Sequence, residues 1–224
     1  MSSPREYGLG RIPAPDPRDA QHRLRSITPL RATTPTRYWR TGPVLDQGPT
    51  SQCVGYSWGQ FVASAPLMTR IPLGYGKTLY ERAQALDEFQ GEDYQGTSVR
   101  GGVKALQEQQ RVSEYLWSTD ADEARRYVLS RGCAVLGIDW PESFFTPVQR
   151  PSGMYLEDPA SAIAGGHAIL VCGFSEKRKA FRLINSWSTN WGESGRAWIH
   201  FDVMREMLSR PFAEFCSALE IKAA

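Results

Sequence analysis

Apolar residues recur at steps of three and four through the first half of the chain and at steps of two through the second. Val54, Trp58, Phe61, Val62 and Ala65 share one face of a predicted helix that Cys53 opens and Pro66 ends or kinks. A second helix is predicted over Lys77 to Phe89, with Leu79, Ala83 and Leu86 on one face. Gly91 to Gly96 reads as a polar loop, after which Thr97 or Ser98 caps a third helix carrying Val103 and Leu106. Asp120, with Glu123 three residues on, has the pattern of a capping box for a helix ending at Gly132. Strands are then predicted over Ala134 to Asp139, His167 to Phe174, Ala180 to Asn185, Arg196 to Phe201 and Glu214 to Ile221. Phe174 to Ala180 forms a short charged turn between two of them. Helices before strands imply an α+β fold in two lobes, a helical one over about 47–130 and a β-rich one over about 131–221, and not a βαβ series.

Residues 1 to about 45 break both periodicities. They are rich in proline and arginine, as in Pro13-Ala14-Pro15-Asp16-Pro17-Arg18-Asp19, so residues 1–37 read as an extended leader. Tyr7, Leu9, Ile12, Leu24, Ile27, Leu30, Tyr38 and Trp39 are its candidate anchors on a surface. The domain proper spans 38–224.

Composition narrows the setting. With 26 basic and 24 acidic residues the net charge is +2, which gives no case for nucleic acid or an anionic membrane as partner. No apolar run approaches the ~18 residues that span a bilayer, and no h-region of a signal peptide is visible. The four cysteines, Cys53, Cys133, Cys172 and Cys216, form no CxxC pair, so no zinc site is expected; their even number allows two disulfides, but without a secretory signal free thiols are the better reading. Cys133 and Cys172 fall in buried strands and read as core thiols. A cytoplasmic protein is the expectation.

Candidate chemistry starts at Cys53. Unsatisfied N–H groups and the positive dipole end at a helix start favour thiolate, the nucleophilic form. Of three histidines, His22 lies in the leader and His200 within a strand. His167 follows Gly165-Gly166 at the open end of an apolar strand, where the glycines leave a path for a substrate backbone. If the strands carrying His167 and Asn185 pair as a hairpin, their open ends meet. The Asn185 amide oxygen then fixes the imidazole tautomer and leaves the other ring nitrogen for the thiol. Trp187 is placed to shield that bond. Gln47 can donate to an oxyanion together with the Cys53 backbone N–H, and Gly48 permits the tight path this needs.

These residues resemble the papain-like cysteine peptidases. The resemblance rests on Val44-Leu45-Asp46-Gln47-Gly48…Cys53, on Gly166-His167-Ala168, and on Asn185-Ser186-Trp187-Ser188-Thr189-Asn190-Trp191-Gly192-Glu193-Ser194-Gly195, over about residues 38–221. The leader and Gly96-Thr97-Ser98-Val99-Arg100-Gly101-Gly102 look most like the bacterial and phage branch, which lacks a long propeptide. The resemblance implies a two-lobe fold, a helical lobe against an antiparallel sheet or barrel, with the active-site cleft between them. It implies Cys53 as nucleophile, His167 as base and then acid, Asn185 as its orienter and Gln47 in the oxyanion hole. Gly101, Gly102, Gly165, Gly166 and Trp187 would contact a protein or peptide substrate, and no cofactor is required.

Four positions depart from the family pattern. Thr50 stands where secreted relatives have a disulfide cysteine, Gln52 and Val54 flank the nucleophile and would reshape the cleft, and Ser188 replaces a glycine. Control of activity would fall to the leader lying in the cleft. Two other readings share the same residues: a catalytically silent binding or assembly module, and a transamidating acyltransferase in which an amine displaces water from the thioester.

Overall fold

The computed structural model describes residues 7–32, 34–89 and 94–222. Two helices, α1 (Cys53–Val62) and α3 (Val99–Glu108), pack on one face of a sheet that has nine strands among the described residues, and α2 (Tyr75–Gln84) packs against both of them. Two more, α4 (Ala121–Ser130) and α5 (Phe201–Ser209), pack on the other face. The strands are β1 (Thr36–Tyr38), β2 (Val112–Ser118), β3 (Ala134–Pro141), β4 (Val148–Arg150), β5 (Gly153–Leu156), β6 (Ile163–Ser175), β7 (Ala180–Ile184), β8 (Arg196–His200) and β9 (Glu214–Glu220). They run in the order β2-β9-β3-β6-β7-β8-β5-β4, with β1 also on β6. Every pairing is antiparallel except β5 with β8. The α+β arrangement expected from the periodicity is present.

The period of two in the strands produces two cores. Val135, Ala168, Leu170 and Ile184 face α1 and α3, whereas Leu136, Ile169, Val171 and Leu183 face α4 and α5. Each large side chain taken fully out of water contributes about 1.5–3 kcal/mol, so both faces are held to β6. That strand is the longest and lies between β3 and β7, which fixes the position of anything at its open end.

Local signals account for the helix starts. The Ser98 hydroxyl accepts from the Gly101 N–H at 2.9 Å as the N-cap of α3. Asp120 Oδ1 accepts from the N–H groups of Asp122 and Glu123 at 2.8 and 3.1 Å. The reciprocal half of the capping box is relayed. Glu123 accepts from Ser118 Oγ at 2.7 Å, and Ser118 Oγ accepts from the Asp120 N–H at 3.1 Å.

Several boundaries differ from expectation. The second helix covers Tyr75–Gln84, not Lys77 to Phe89, and α4 stops at Ser130, before Gly132. Gln90 and part of the loop expected from Gly91 to Gly96 lie outside the described residues. The strand expected to run to Phe201 gives way there to α5, whose Met204, Met207 and Leu208 recur at helical steps. β2 was not expected because its exposed and buried positions do not alternate. No described helix is long and apolar enough to cross a membrane.

Candidate active site

Cys53 is the first residue of α1, and His167 lies near the open end of β6. The helix start packs on the sheet, so Cys53 and Ala168 share one core and both are completely buried. β6 and β7 form the expected hairpin, pairing from Ser175↔Ala180 to Leu170↔Ile184 with an irregularity between Val171 and Gly173. Beyond Ile184 the chain leaves the sheet, and the Asn185 N–H donates to Gly195 O at 2.9 Å. The Asn185 side chain is thereby held at His167, with Nε2 and Oδ1 2.9 Å apart. Oδ1 also accepts from the Ser186 N–H at 2.8 Å. Two donors on one atom identify it as the amide oxygen, so His167 Nε2 carries the proton. His167 Nδ1 is left buried with no hydrogen-bond partner among the described residues. Trp187 stacks on the imidazole at 4.4 Å between ring centres, and Trp140 meets it edge-on at 4.6 Å.

Gln47 is tied to the same turn. Asp46 bridges Trp187, the Gln47 N–H donates to Ser186 O at 2.8 Å, and Ser186 Oγ donates to Gln47 Oε1 at 2.7 Å. These bonds consume the amide oxygen and aim Nε2 outward, where it donates to Thr50 O at 2.5 Å and Gly8 O at 3.0 Å. Gln47, Ser186, Asn185 and His167 thus form one continuous hydrogen-bonded chain.

The acceptor on Gly8 belongs to the N-proximal segment, which lies across these residues. Gly8 O accepts a second bond from Trp187 Nε1 at 3.1 Å, and the Tyr7 ring stacks on Trp187 at 4.6 Å. Gly10 and Arg11 both donate their N–H groups to Gly166 O, at 2.9 and 3.0 Å. On the other wall the Thr97 N–H donates to Gly10 O, and the Ile12 N–H donates to Thr97 O, each at 2.9 Å. Further along, Arg100 donates to Ala14 O at 2.8 Å and pairs with Asp19. Leu24 is fully buried, whereas Leu30, an expected anchor, is 94% exposed.

Burial governs the ionisation of both groups. Burial pushes the Cys53 thiol up to about 12, and the backbone N–H groups of Ala168 and Val54 oppose it only in part. Burial likewise lowers His167 to about 3 against the raising effect of the Asn185 bond. Burial therefore disfavours the thiolate expected from the helix start. A helix terminus is worth about 0.3–1 kcal/mol, less than the cost of a dry, unpaired charge.

The expected substrate-contacting residues divide. Gly165, Gly166 and Trp187 line the covered path: a Cβ on Gly166 would sit 2.0 Å from Arg11 O, and one on Gly165 would sit 2.9 Å from the Leu9 side chain. Gly101 and Gly102 do not line it. They lie inside α3, where a Cβ on Gly102 would meet Trp58 at 2.3 Å, so they serve close helix packing. Val54 packs into the same α1–α3 contact and does not shape the cleft. Thr97 forms a wall that the sequence reading missed, because its contribution is made by backbone atoms. His22 and His200 lie against Tyr115 and Tyr155, away from the site. Ser188 adopts a φ of +61°, the conformation its family glycine would supply. All four cysteines are free thiols.

Comparison with known proteins supports the fold and the family. A search of curated proteins finds no match. Among solved structures, xylellain, a cysteine protease from Xylella fastidiosa, is similar at 19% identity and a TM-score of 0.70, covering 99% of this chain and 100% of that one. Digestive procathepsin L 3 from the Tenebrio molitor larval midgut is similar at 14% identity and a TM-score of 0.66, over 95% of this chain and 75% of that one. The family model for papain family cysteine proteases matches residues 78–210, a span that contains His167 and Asn185 and begins after Cys53. With more than half of its length matched, the chain belongs to the papain family of cysteine proteases.

Proposed function

We propose that this protein hydrolyses peptide bonds through a thioester on Cys53 and that the segment around Gly8–Ile12 holds it latent. The observation that carries the reading is the 2.9 Å bond from His167 Nε2 to Asn185, beside a buried Cys53 and with Nδ1 unpartnered. Once the segment leaves, water and a substrate carbonyl reach the thiol. His167 Nδ1 takes the Cys53 proton as sulfur attacks the carbonyl carbon. Gln47 Nε2, now donating to Gly8 O, and the Cys53 N–H then face the developing oxyanion. His167 gives its proton to the leaving amine, and the C–N bond breaks. Water attacks the thioester after losing a proton to His167, which releases the acid and restores the thiol. Trp187 over the imidazole keeps water from the Asn185 bond.

The division into a segment of 1–37 and a peptidase domain of 38–224 follows from this reading, with protein or peptide as the substrate. The test is a peptide library incubated with Arg11→Ala, which weakens the cover, and with the Arg11→Ala/Cys53→Ala double variant, in the presence of an acceptor amine. Hydrolysed products from the first variant alone are expected. Amine adducts would replace the hydrolase by a transferase, and equal cleavage by both variants would overturn the role of Cys53.

A further inference from the structure

The segment that covers the cleft also fills a pocket beside it, and what fills that pocket is a positive charge. Arg11 is 3% exposed although it belongs to an irregular segment. Its Nε donates to Glu214 Oε2 at 3.0 Å, and one terminal nitrogen lies 2.9 Å from the same oxygen. That nitrogen also donates to Phe212 O, while the other terminal nitrogen lies 3.4 Å from Asp139 Oδ1. Glu214 opens β9, Asp139 lies in β3, and the floor between them is Gly137. A Cβ there would come within 2.8 Å of Val99, 2.9 Å of Glu214 and 3.2 Å of Arg11 Nε. The cavity thus exists because residue 137 has no side chain, and it is built to the shape and charge of a guanidinium.

The backbone of the occupant enters as a strand would. Thr97 bonds on both sides of residue 11, through Gly10 O and the Ile12 N–H, and Gly166 O takes the Arg11 N–H. Any extended chain bonded to Thr97 and Gly166 in this way must put one side chain into the Glu214 pocket. Taking the peptidase reading above as its basis, we infer that the Val99–Gly137–Asp139–Glu214 pocket is the enzyme's specificity pocket, that it selects arginine near the scissile bond, and that Arg11 holds the latent state by occupying it. Arginine outranks lysine, because the pocket engages three nitrogens of a planar fork that an ammonium cannot reproduce. An unpaired carboxylate left in a dry pocket disfavours leucine.

Two measurements on the full chain test this. In the first, Arg11→Ala is given fluorogenic peptides in which Arg, Lys or Leu is scanned through the residues flanking the cleaved bond. At one position arginine should be favoured over leucine by at least about 30-fold, and Glu214→Gln in the same background should cut that ratio about tenfold. The ratio is taken within one preparation, so it does not depend on the fraction folded. In the second, agmatine, an alkylguanidine, should raise the melting temperature of Arg11→Ala but not of Arg11→Ala/Glu214→Gln, with n-butylamine weaker. Cleavage without an arginine preference overturns the pocket while leaving the peptidase standing. Agmatine binding without cleavage keeps the pocket and overturns the peptidase. A preference untouched by Glu214→Gln overturns the assignment of Glu214.

Discussion

Asn185 Oδ1 sits 2.9 Å from His167 Nε2 and 2.8 Å from the Ser186 N–H, so the amide is locked and the imidazole keeps only Nδ1 without a partner among the described residues. Removing the lock frees the ring to rotate and to adopt the other tautomer. In the Arg11→Ala background, Asn185→Ala should lower kcat by about 100-fold with KM little changed, since orientation of a base is lost and substrate contacts are not. Steady-state kinetics on one peptide reads the split. A change confined to KM would show that Asn185 acts elsewhere.

The covering segment should control thiol chemistry. With Cys53 held up at about 12, its thiolate fraction in the closed protein rises about tenfold per pH unit from pH 7 to 10. Because that thiol is also fully buried, iodoacetamide labelling of Cys53, followed by peptide mass analysis, should be slow at pH 7 compared with an exposed thiol. Gly166→Ala places a Cβ 2.0 Å from Arg11 O and should displace the segment. Labelling of that variant should be much faster at pH 7 and should level off at lower pH.

The two glycine classes should respond differently to the same change. Gly102→Ala drives a methyl to 2.3 Å from the Trp58 ring and 2.8 Å from the Val54 side chain between α1 and α3, both fully buried. A loss of about 1–3 kcal/mol in unfolding free energy is expected, the usual cost of overpacking. Gly166→Ala meets a segment that can lift away, so thermal unfolding of the domain should change far less. Denaturant titrations of the two variants make the comparison.

Glu214 gives the closed state a pH dependence with a definite sign. Burial raises its carboxyl from 4.5 to about 7, with Arg11 and Arg100 opposing and Asp19 adding to the rise; Asp139 also faces the pocket through Arg11. The folded protein then binds a proton more tightly than the unfolded chain, so this group's contribution is present at low pH and is lost as pH rises towards 7. His167 acts in the opposite sense. Its fall from 6.5 to about 3 makes stability increase with pH across that interval. Between pH 4.5 and 6.5 the two one-proton slopes oppose each other, so Glu214→Gln should leave the His167 rise uncompensated and make stability climb with pH there. Urea midpoints measured at intervals across pH 3–8 test it.

Much of the architecture could be read from local patterns. A helix opened by Cys53, the Ser98 cap, the Asp120 cap and the hairpin carrying His167 to Asn185 each depend on neighbours a few residues apart, or on one turn. Where the reading failed, the deciding partner was distant. The resemblance implies a substrate contact for Gly101 and Gly102, but a glycine pair says only that a backbone comes close to something. Whether that something is a substrate or Trp58 depends on how α1 packs against α3.

The sequence by itself determined which groups could do chemistry, their order, and the strand ends that would unite His167 with Asn185. Periodicity fixes the faces of an element, and turn length fixes the pairing of adjacent strands. Only the tertiary structure decided what fills the cleft and in which protonation state the site rests. Arg11 and Glu214 are 203 residues apart, and nothing in either neighbourhood encodes their meeting. The thiol at the helix start follows the same logic: burial in the packing of α1 on the sheet, not the local helix terminus, sets the direction of its ionisation.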